Sequence, residues 1–492
     1  MKNLRRKTLA AASAATLGAG LALAGGLAPA AAVGPDTTFL VLAPQGGKTD
    51  KAAARVAAAK GTVVASYGQI GVLVARSTNP NFATEVAGAG VESVASTAGL
   101  GTALDEGETV EVAAADIAAV DPTKEPLYGQ QWDMDMIHVP QAHAVNAGSP
   151  DVVVGVLDSG ISSSHPDLAT QIAKDKSTSC IGGVTDTAEA AWNPTTSDHG
   201  THVAGTIAAA VNGVGVTGIA PGAKVAAVKV VDNDGYIYPE AAVCGFLWAA
   251  DHGMQVTNNS YYIDPWELNC RNDARQRPVW QAVQRAIRYS QSKGVLNVAS
   301  AGNSNYDLAH KITDTGSPNN GKPENREDLT NACLDLPAEV PGVVTVGAVG
   351  PTGQKSYYSS YGQGVIDVTA PGGDSRIRTQ GATPTTTDQI LSTTWDKNTK
   401  ANGWGYKQGT SMSGPHAAGV AALALSAHPG MTPGQLASFL ERTAVAGSCP
   451  QGVYNPAPLH PDGPHAWDAT CSGGARNGFY GAGIVDAYNA VK

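Results

Sequence analysis

The 492-residue sequence predicts an α/β protein built on a mostly parallel central sheet with helices on both faces. Two observations carry that expectation. Short apolar runs recur from residue 127 onward: Val152–Leu157, Val225–Val231, Gln255–Asn258, Val295–Ser300, Val343–Val349 and Val365–Thr369. Most are apolar throughout rather than alternating, as expected of strands covered on both sides. Helix-length segments such as Glu240–His252 and Pro278–Lys293 lie between several of them, which is the layout of a parallel sheet with crossover helices. Chemistry on such a sheet collects at the carboxyl ends of the strands.

A separate unit precedes the sheet, over residues 33–100. Thr38–Leu42 reads as a strand and Lys48–Lys60 as an Ala-rich helix. Thr62–Arg76 holds two apolar runs broken by Gly68 and Gly71, the pattern of a hairpin. Asn81–Val94 reads as a second helix. The order β-α-β-β-α is that of a small α+β, ferredoxin-like sandwich. Residues 101–126, rich in Ala and acids, read as an exposed linker.

Composition narrows the function. Apolar residues make up 42%, enough for a large core, and charged residues only 15%. There are 32 Lys and Arg against 42 Asp and Glu. Four of the bases are Lys2, Arg5, Arg6 and Lys7, and without them 28 remain against 42 acids. So acidic a chain is a poor partner for nucleic acid and for anionic membranes. The four bases lead into an uncharged Ala/Gly/Leu stretch with small-residue sites at Ala28-Pro29-Ala30 and Ala30-Ala31-Ala32. Residues 1–32 therefore read as a secretory signal peptide, followed by an exported, extracellular protein. No later apolar run reaches the ~18 residues of a membrane span. Six cysteines in an exported chain suggest three disulfides, with 15 possible pairings. Cys449–Cys471 is the first choice, because it closes a short Pro/Gly-rich segment.

Three segments carry chemistry. Val152–Gly160 ends a buried strand in Asp158-Ser159-Gly160, at the sheet's carboxyl edge. Asp198-His199-Gly200-Thr201-His202 opens a small-residue helix. The spacing of His199 and His202 lacks the Glu of a zinc-peptidase helix, so metal ligation is not expected of them. Gly409-Thr410-Ser411-Met412 with Pro415-His416 sets a serine at a helix start, where free N–H groups face its oxygen. Each alone is ordinary: a strand-end Asp, a helix-capping His, a Ser N-cap. Together they supply a nucleophile, its base and the base's acceptor.

The chain order Asp, His, Ser and the G-T-S-M-x-x-P-H motif resemble the subtilisin family of serine peptidases, from residue 127 to the end. The resemblance implies a serine endopeptidase domain over 127–492 that cleaves protein or peptide substrates. Asp158 would orient His199, His199 would act as base and then acid, and Ser411 would be the nucleophile. Ala299–Asn303 resembles the family's oxyanion stretch, with Asn303 donating its side-chain amide and Gly302 beside it. The unit 33–100 would be an inhibitory propeptide, removed from a zymogen. Asp167, Asn212 and the carbonyls of Val214 and Val216, with Gln130 or Gln131, match the family's structural calcium loop, and oxygen-only ligands suit calcium. No catalytic cofactor and no membrane or nucleic-acid partner is implied, and a monomer is expected.

Departures from the family concern specificity. Ser260-Tyr261-Tyr262 stands where the family usually has Ser-Leu-Gly, so Tyr262 should crowd the peptide groove. Insertions follow, at 264–277 and 305–332. Asp335 falls near the floor of the primary side-chain pocket and would favour Lys or Arg, unless it is a surface or salt-bridged residue. A selective processing peptidase and a non-catalytic binding protein on the same fold are the alternatives. The intact Asp158, His199, Ser411 and Asn303 argue against the second.

Overall fold

The computed structural model describes residues 34–97, 101–104, 109–112, 125–320, 326–376 and 386–492. The signal peptide expected at 1–32 lies outside them. The N-terminal unit contains β1 (Thr37–Leu42), α1 (Asp50–Ala58), β2 (Gly61–Tyr67), β3 (Val72–Ser77), α2 (Phe82–Val86) and β4 (Ser93–Ser96). Its antiparallel sheet has the order β2-β3-β1-β4. The second helix is shorter than the sequence suggested. It stops at Val86, because Gly88 and Gly90 take positive φ. The chain then re-enters the sheet as β4, antiparallel to β1, and completes the split β-α-β pattern.

Strand alternation gives this small sheet two buried faces. Phe39, Val41, Leu73 and Ala75 pack on Val56 of α1 and Phe82 of α2. Leu40, Leu42, Val72 and Val74 belong to a cluster that extends into the large domain.

The linker region is not a plain exposed tether. Gly101 and Thr102 are buried, and Val110–Glu111 forms β5 against a later strand. Short helices α3 (Trp132–Met136) and α4 (Val139–His143) lead to β6 (Val153–Asp158). Then come β7 (Thr178–Ser179), α5 (Glu189–Trp192), α6 (His199–Ala208), β8 (Lys224–Lys229), α7 (Pro239–Asp251), β9 (Val256–Asn259), β10 (Leu268–Cys270), α8 (Arg277–Ser292), β11 (Leu296–Ser300), β12 (Cys333–Asp335), β13 (Val344–Val349) and β14 (Val368–Pro371). The hairpin β15 (Ile390–Trp395) and β16 (Asn402–Lys407) precedes the long helix α9 (Thr410–Ala427).

The main sheet has seven strands in the order β14-β13-β11-β9-β6-β8-β7, with parallel pairing throughout. Val154 and Val156 of β6 face α6 and α9, in a core with Val203, Ile207 and Val420. Val153 and Leu157 face α7 and α8, with Ala242, Phe246 and Val283. The last predicted strand begins three residues later than expected, since Gly362 and Gly364 hold its approach in turns. The hairpin β15–β16 was not foreseen. Its Ser/Thr/Gly-rich strands carry little apolar signal, yet Ser392 and Thr393 hydrogen-bond the α6 carbonyls of His202 and Thr201. Disulfides join Cys180–Cys244, Cys270–Cys333 and Cys449–Cys471, the last as expected.

The small unit sits on α7 and α8. Arg285 of α8, 7% exposed, donates to the Ala43 carbonyl at 2.8 Å and to Glu92 at 2.8 Å. A buried guanidinium that loses its partners is costly, and so are the acceptors it abandons. Arg285→Ala should weaken this docking by about 2 kcal/mol. The check is hydrogen exchange of β1 and β3 amides in the full chain, which should speed up while the β6 amides do not.

Candidate active site

Asp158 is the last residue of β6 and His199 the first of α6; both are fully buried. His199 Nδ1 lies 2.9 Å from Asp158 Oδ1 and 3.0 Å from Oδ2. The Ser159 N–H also donates to Asp158 Oδ1, at 2.7 Å. The sequence demands this closeness: a Cβ at Gly200 would lie 2.4 Å from the Gly160 carbonyl oxygen and 3.0 Å from Asp158 Cβ. Only glycine lets the start of α6 rest on the end of β6. Nδ1–H donation to a carboxylate leaves Nε2 as the basic nitrogen.

Ser411 is the second residue of α9, two residues after Gly409 with φ +151°. Its hydroxyl donates to the Ser260 carbonyl at 3.3 Å, and Ser260 Oγ donates back to the Ser411 carbonyl at 2.9 Å. At a helix N-terminus the Ser411 N–H has no partner one turn back.

Asn303 follows β11. Its Oδ1 accepts from the Thr410 N–H and the Thr410 hydroxyl, each at 2.9 Å. Thr410 Oγ1 also accepts from the Gly302 N–H at 3.1 Å. With the carbonyl end held twice, the Asn303 amide NH₂ is turned away from Thr410, as a donor. Nothing in the sequence singles out a separate role for Thr410. It marks a motif, and only the fold shows that it fixes the Asn303 rotamer.

Ser411, Asn303, Gly302, Ser260, Tyr261, Tyr262 and Asp335 line one cavity, together with Thr102, Ala103 and Leu104 of the chain's own N-terminal part. That segment is held along its backbone. Thr102 N donates to Asp264 Oδ1, Ala103 N to Asn319 Oδ1 and Leu104 N to the Gly235 carbonyl, while the Gly101 carbonyl accepts from Asn319 and Asn320. Asp264 and Asn319 belong to the two insertions. Tyr262 hydrogen-bonds Thr102. Tyr261 lies beneath, 4% exposed, its hydroxyl on Asn259 Oδ1. Glu267 also lines the cavity and was not foreseen, because it sits in an insertion with no motif to mark it.

His202 is buried in α6 with Nε2 against the Ile390 and Gly405 carbonyls. Burial holds its imidazole well below the ordinary histidine range. Among the described residues no group of three or more His, Cys, Asp and Glu could hold a metal ion.

The residues proposed for calcium do gather. Asp167 Oδ2 accepts from the Val216 N–H at 3.1 Å and the Trp404 indole at 2.8 Å, and Oδ1 from Asn212 at 3.3 Å. Gln131, not Gln130, reaches this loop, on Thr217 N and O. Gln130 instead accepts from the Tyr406 hydroxyl. Val214 N donates to Asn212 Oδ1, and Glu125 Oε1 accepts from Asn212 N and Gly213 N. A carboxylate whose oxygens already take N–H donors does not fit bidentate ligation of a cation.

The family model described as the subtilase family matches residues 149–483. The chain belongs to the subtilase family. It is 31% identical to fervidolysin of Fervidobacterium pennivorans over 332 residues, 65% of this chain and 41% of that one. It is 32% identical to subtilisin E of Bacillus subtilis over 316 residues, 64% of this chain and 66% of that one. Among solved structures, a protease of Pseudoalteromonas arctica is 29% identical with a TM-score of 0.54, covering 75% of this chain and 99% of that one. The epidermin leader peptide processing serine protease of Staphylococcus aureus covers 93% of this chain and 98% of its own at a TM-score of 0.65, and its 20% identity speaks for the fold alone. In this subtilase, Thr410→Val should loosen Asn303 and, with that amide as an oxyanion donor, lower kcat about tenfold with little change in KM. Steady-state kinetics on a peptide substrate, with Thr410→Ser as the conservative control, checks this.

Proposed function

We propose that this protein is an exported serine endopeptidase that cleaves peptide bonds through an acyl-enzyme. The carrying observation is the buried Asp158–His199 pair at the carboxyl edge of the sheet, together with a cavity lined by Ser411 and Asn303 and by the chain's own residues 102–104. For reaction, the Ser411 hydroxyl leaves the Ser260 carbonyl and turns to His199 Nε2, which takes its proton as Oγ attacks the substrate carbonyl. The oxyanion is received by the Asn303 amide and the Ser411 N–H. His199 then hands the proton to the leaving amine, and water repeats the sequence on the ester. Asp158 fixes the tautomer and stabilises the imidazolium. Residues 33–100 act as the inhibitory propeptide. Their docking through Arg285 and the passage of 101–104 along the groove support that reading. Groove walls contributed by insertions favour selectivity for few precursors over general digestion. Among the described residues no helix is long and apolar enough to cross a membrane.

Ser411→Ala should abolish turnover and leave the chain uncut in a host without other proteases. Appearance of the normal shortened species would remove self-processing. Asp158→Asn should lose about 10⁴ in kcat/KM at neutral pH, with the fold retained by circular dichroism.

For the calcium loop we propose a metal-free arrangement, in which the Trp404 indole N–H takes the place of the cation against Asp167. Burial pushes the Asp167 carboxyl up to about 7. Its folded pKa thus exceeds the unfolded ~3.9. The native state binds the extra proton, so this group makes stability fall as pH rises from about 4 to 7. Excess chelator should leave the melting temperature unchanged, and Trp404→Phe should lower it. The buried Glu125 Oε2 has no hydrogen-bond partner; a chelator-dependent drop in melting temperature would assign a cation here after all.

A further inference from the structure

Beyond the catalytic groups, two carboxylates converge below Gly302. A methyl group placed there would lie 3.4 Å from Asp335 Oδ2 and 3.5 Å from Glu267 Oε1. Asp335 is 2% exposed and Glu267 5%. Asp335 Oδ1 is buried without a hydrogen-bond partner. Ser304 Oγ donates to Glu267 Oε2 at 3.0 Å, fixing that side chain.

The pair is built by tertiary structure. Strands β10 and β12 are antiparallel, with Leu268 opposite Asp335, and the Cys270–Cys333 disulfide joins them. The nearby bases are committed elsewhere: Lys311 to Glu339 at 2.7 Å, and Arg326 to Asp314. Both carboxylates line the cavity that also contains Ser411, Asn303 and Tyr262.

Resting on the peptidase reading above, we propose that this pocket receives a basic side chain, Lys or Arg, from the residue on the acyl side of the scissile bond, its cation meeting Asp335 and Glu267. A buried carboxylate without a partner is costly, and a substrate cation that arrives with hydrogen-bond donors removes the cost. Burial, and after it the neighbouring Glu267 and Glu339, pushes the Asp335 carboxyl well above the usual carboxylate range, against a smaller opposing pull from Lys311. The segment already in the groove does not supply a cation. Residues 101–112 include Asp105, Glu106, Glu108 and Glu111 and no base. Thr102, Ala103 and Leu104, which line the cavity, carry no cation to meet the pair, so this segment covers the pocket as a poor substrate, which suits an inhibitor.

The test is kcat/KM of the secreted enzyme on peptides that differ only at this position: Lys, Arg, Leu, Phe, Ala and Glu. Lys and Arg should exceed Leu and Phe by about 100-fold, with Glu the poorest. Asp335→Asn and Glu267→Gln should each cut the Lys-to-Leu ratio by roughly 10-fold or more. Glu267 lies outside the strand pair, so its variant stands if Asp335→Asn fails to fold. A wild-type preference for Leu or Phe overturns the proposal, as does an unchanged ratio in Glu267→Gln. Labelling by a fluorophosphonate separates the two readings. Labelled enzyme with an apolar preference sinks only the pocket assignment, and an enzyme that resists labelling sinks the peptidase reading itself.

Discussion

A carboxylate shut away from water at the end of β6 sets the terms for everything around it. Asp158 is fully buried, and a buried charge survives only with partners. Those partners are the His199 ring and the Ser159 N–H. To bring His199 within 2.9 Å, α6 must begin on top of the β6 edge. That requires glycine at 200, where any side chain would strike the Gly160 carbonyl. The hairpin β15–β16 then braces α6 from outside through Ser392 and Thr393. A chain of local necessities thus runs from one charge to the placement of a helix and a hairpin.

The second helix that matters, α9, lies on the same face of the sheet as α6 and is located by strands β9 and β11. Thr410 binds Asn303 and Gly302 at the end of β11, and Ser260 at the end of β9 exchanges hydrogen bonds with Ser411. The serine is therefore referenced to two neighbouring strands and not only to its own helix. His416 repeats the arrangement deeper in α9, with Nδ1 on the Met412 carbonyl and Nε2 3.0 Å from the buried Asp133. This second His–Asp pair ties α9 to α3. Parallel strands that end together make such cross-references short, which is why the chemistry gathers at this edge.

The groove is shaped as much by additions as by the shared domain. The two insertions supply Asp264 and Asn319 to the backbone of residues 102–103 and Glu267 to the pocket floor. The N-terminal unit covers α7 and α8 with one apolar face of its sheet while keeping the other for its own helices. Its apolar surface is thus shared between folding itself and docking, consistent with a unit whose stability depends on its partner.

Much of this was legible in the residues. The Val-rich runs gave a covered parallel sheet because strands buried on both faces cannot alternate. Asp158, His199, Ser411 and Asn303 could be named because Gly-flanked turns and a tight motif surround each. The short second helix, the β15–β16 hairpin and the paired part of 101–126 were not legible. Their residues carry weak periodicity, and contacts distant in sequence decided them: β4 on β1, β5 on β16, Thr393 on Thr201. The same holds for Glu267, Thr410 and Trp404, whose roles arise from partners 68, 107 and 237 residues away. A sequence displays the groups that chemistry requires, since each must be a particular residue type in a particular turn. It does not display which distant group will complete an acidic pocket or fill a loop, because that depends on register and packing fixed only when the chain has folded.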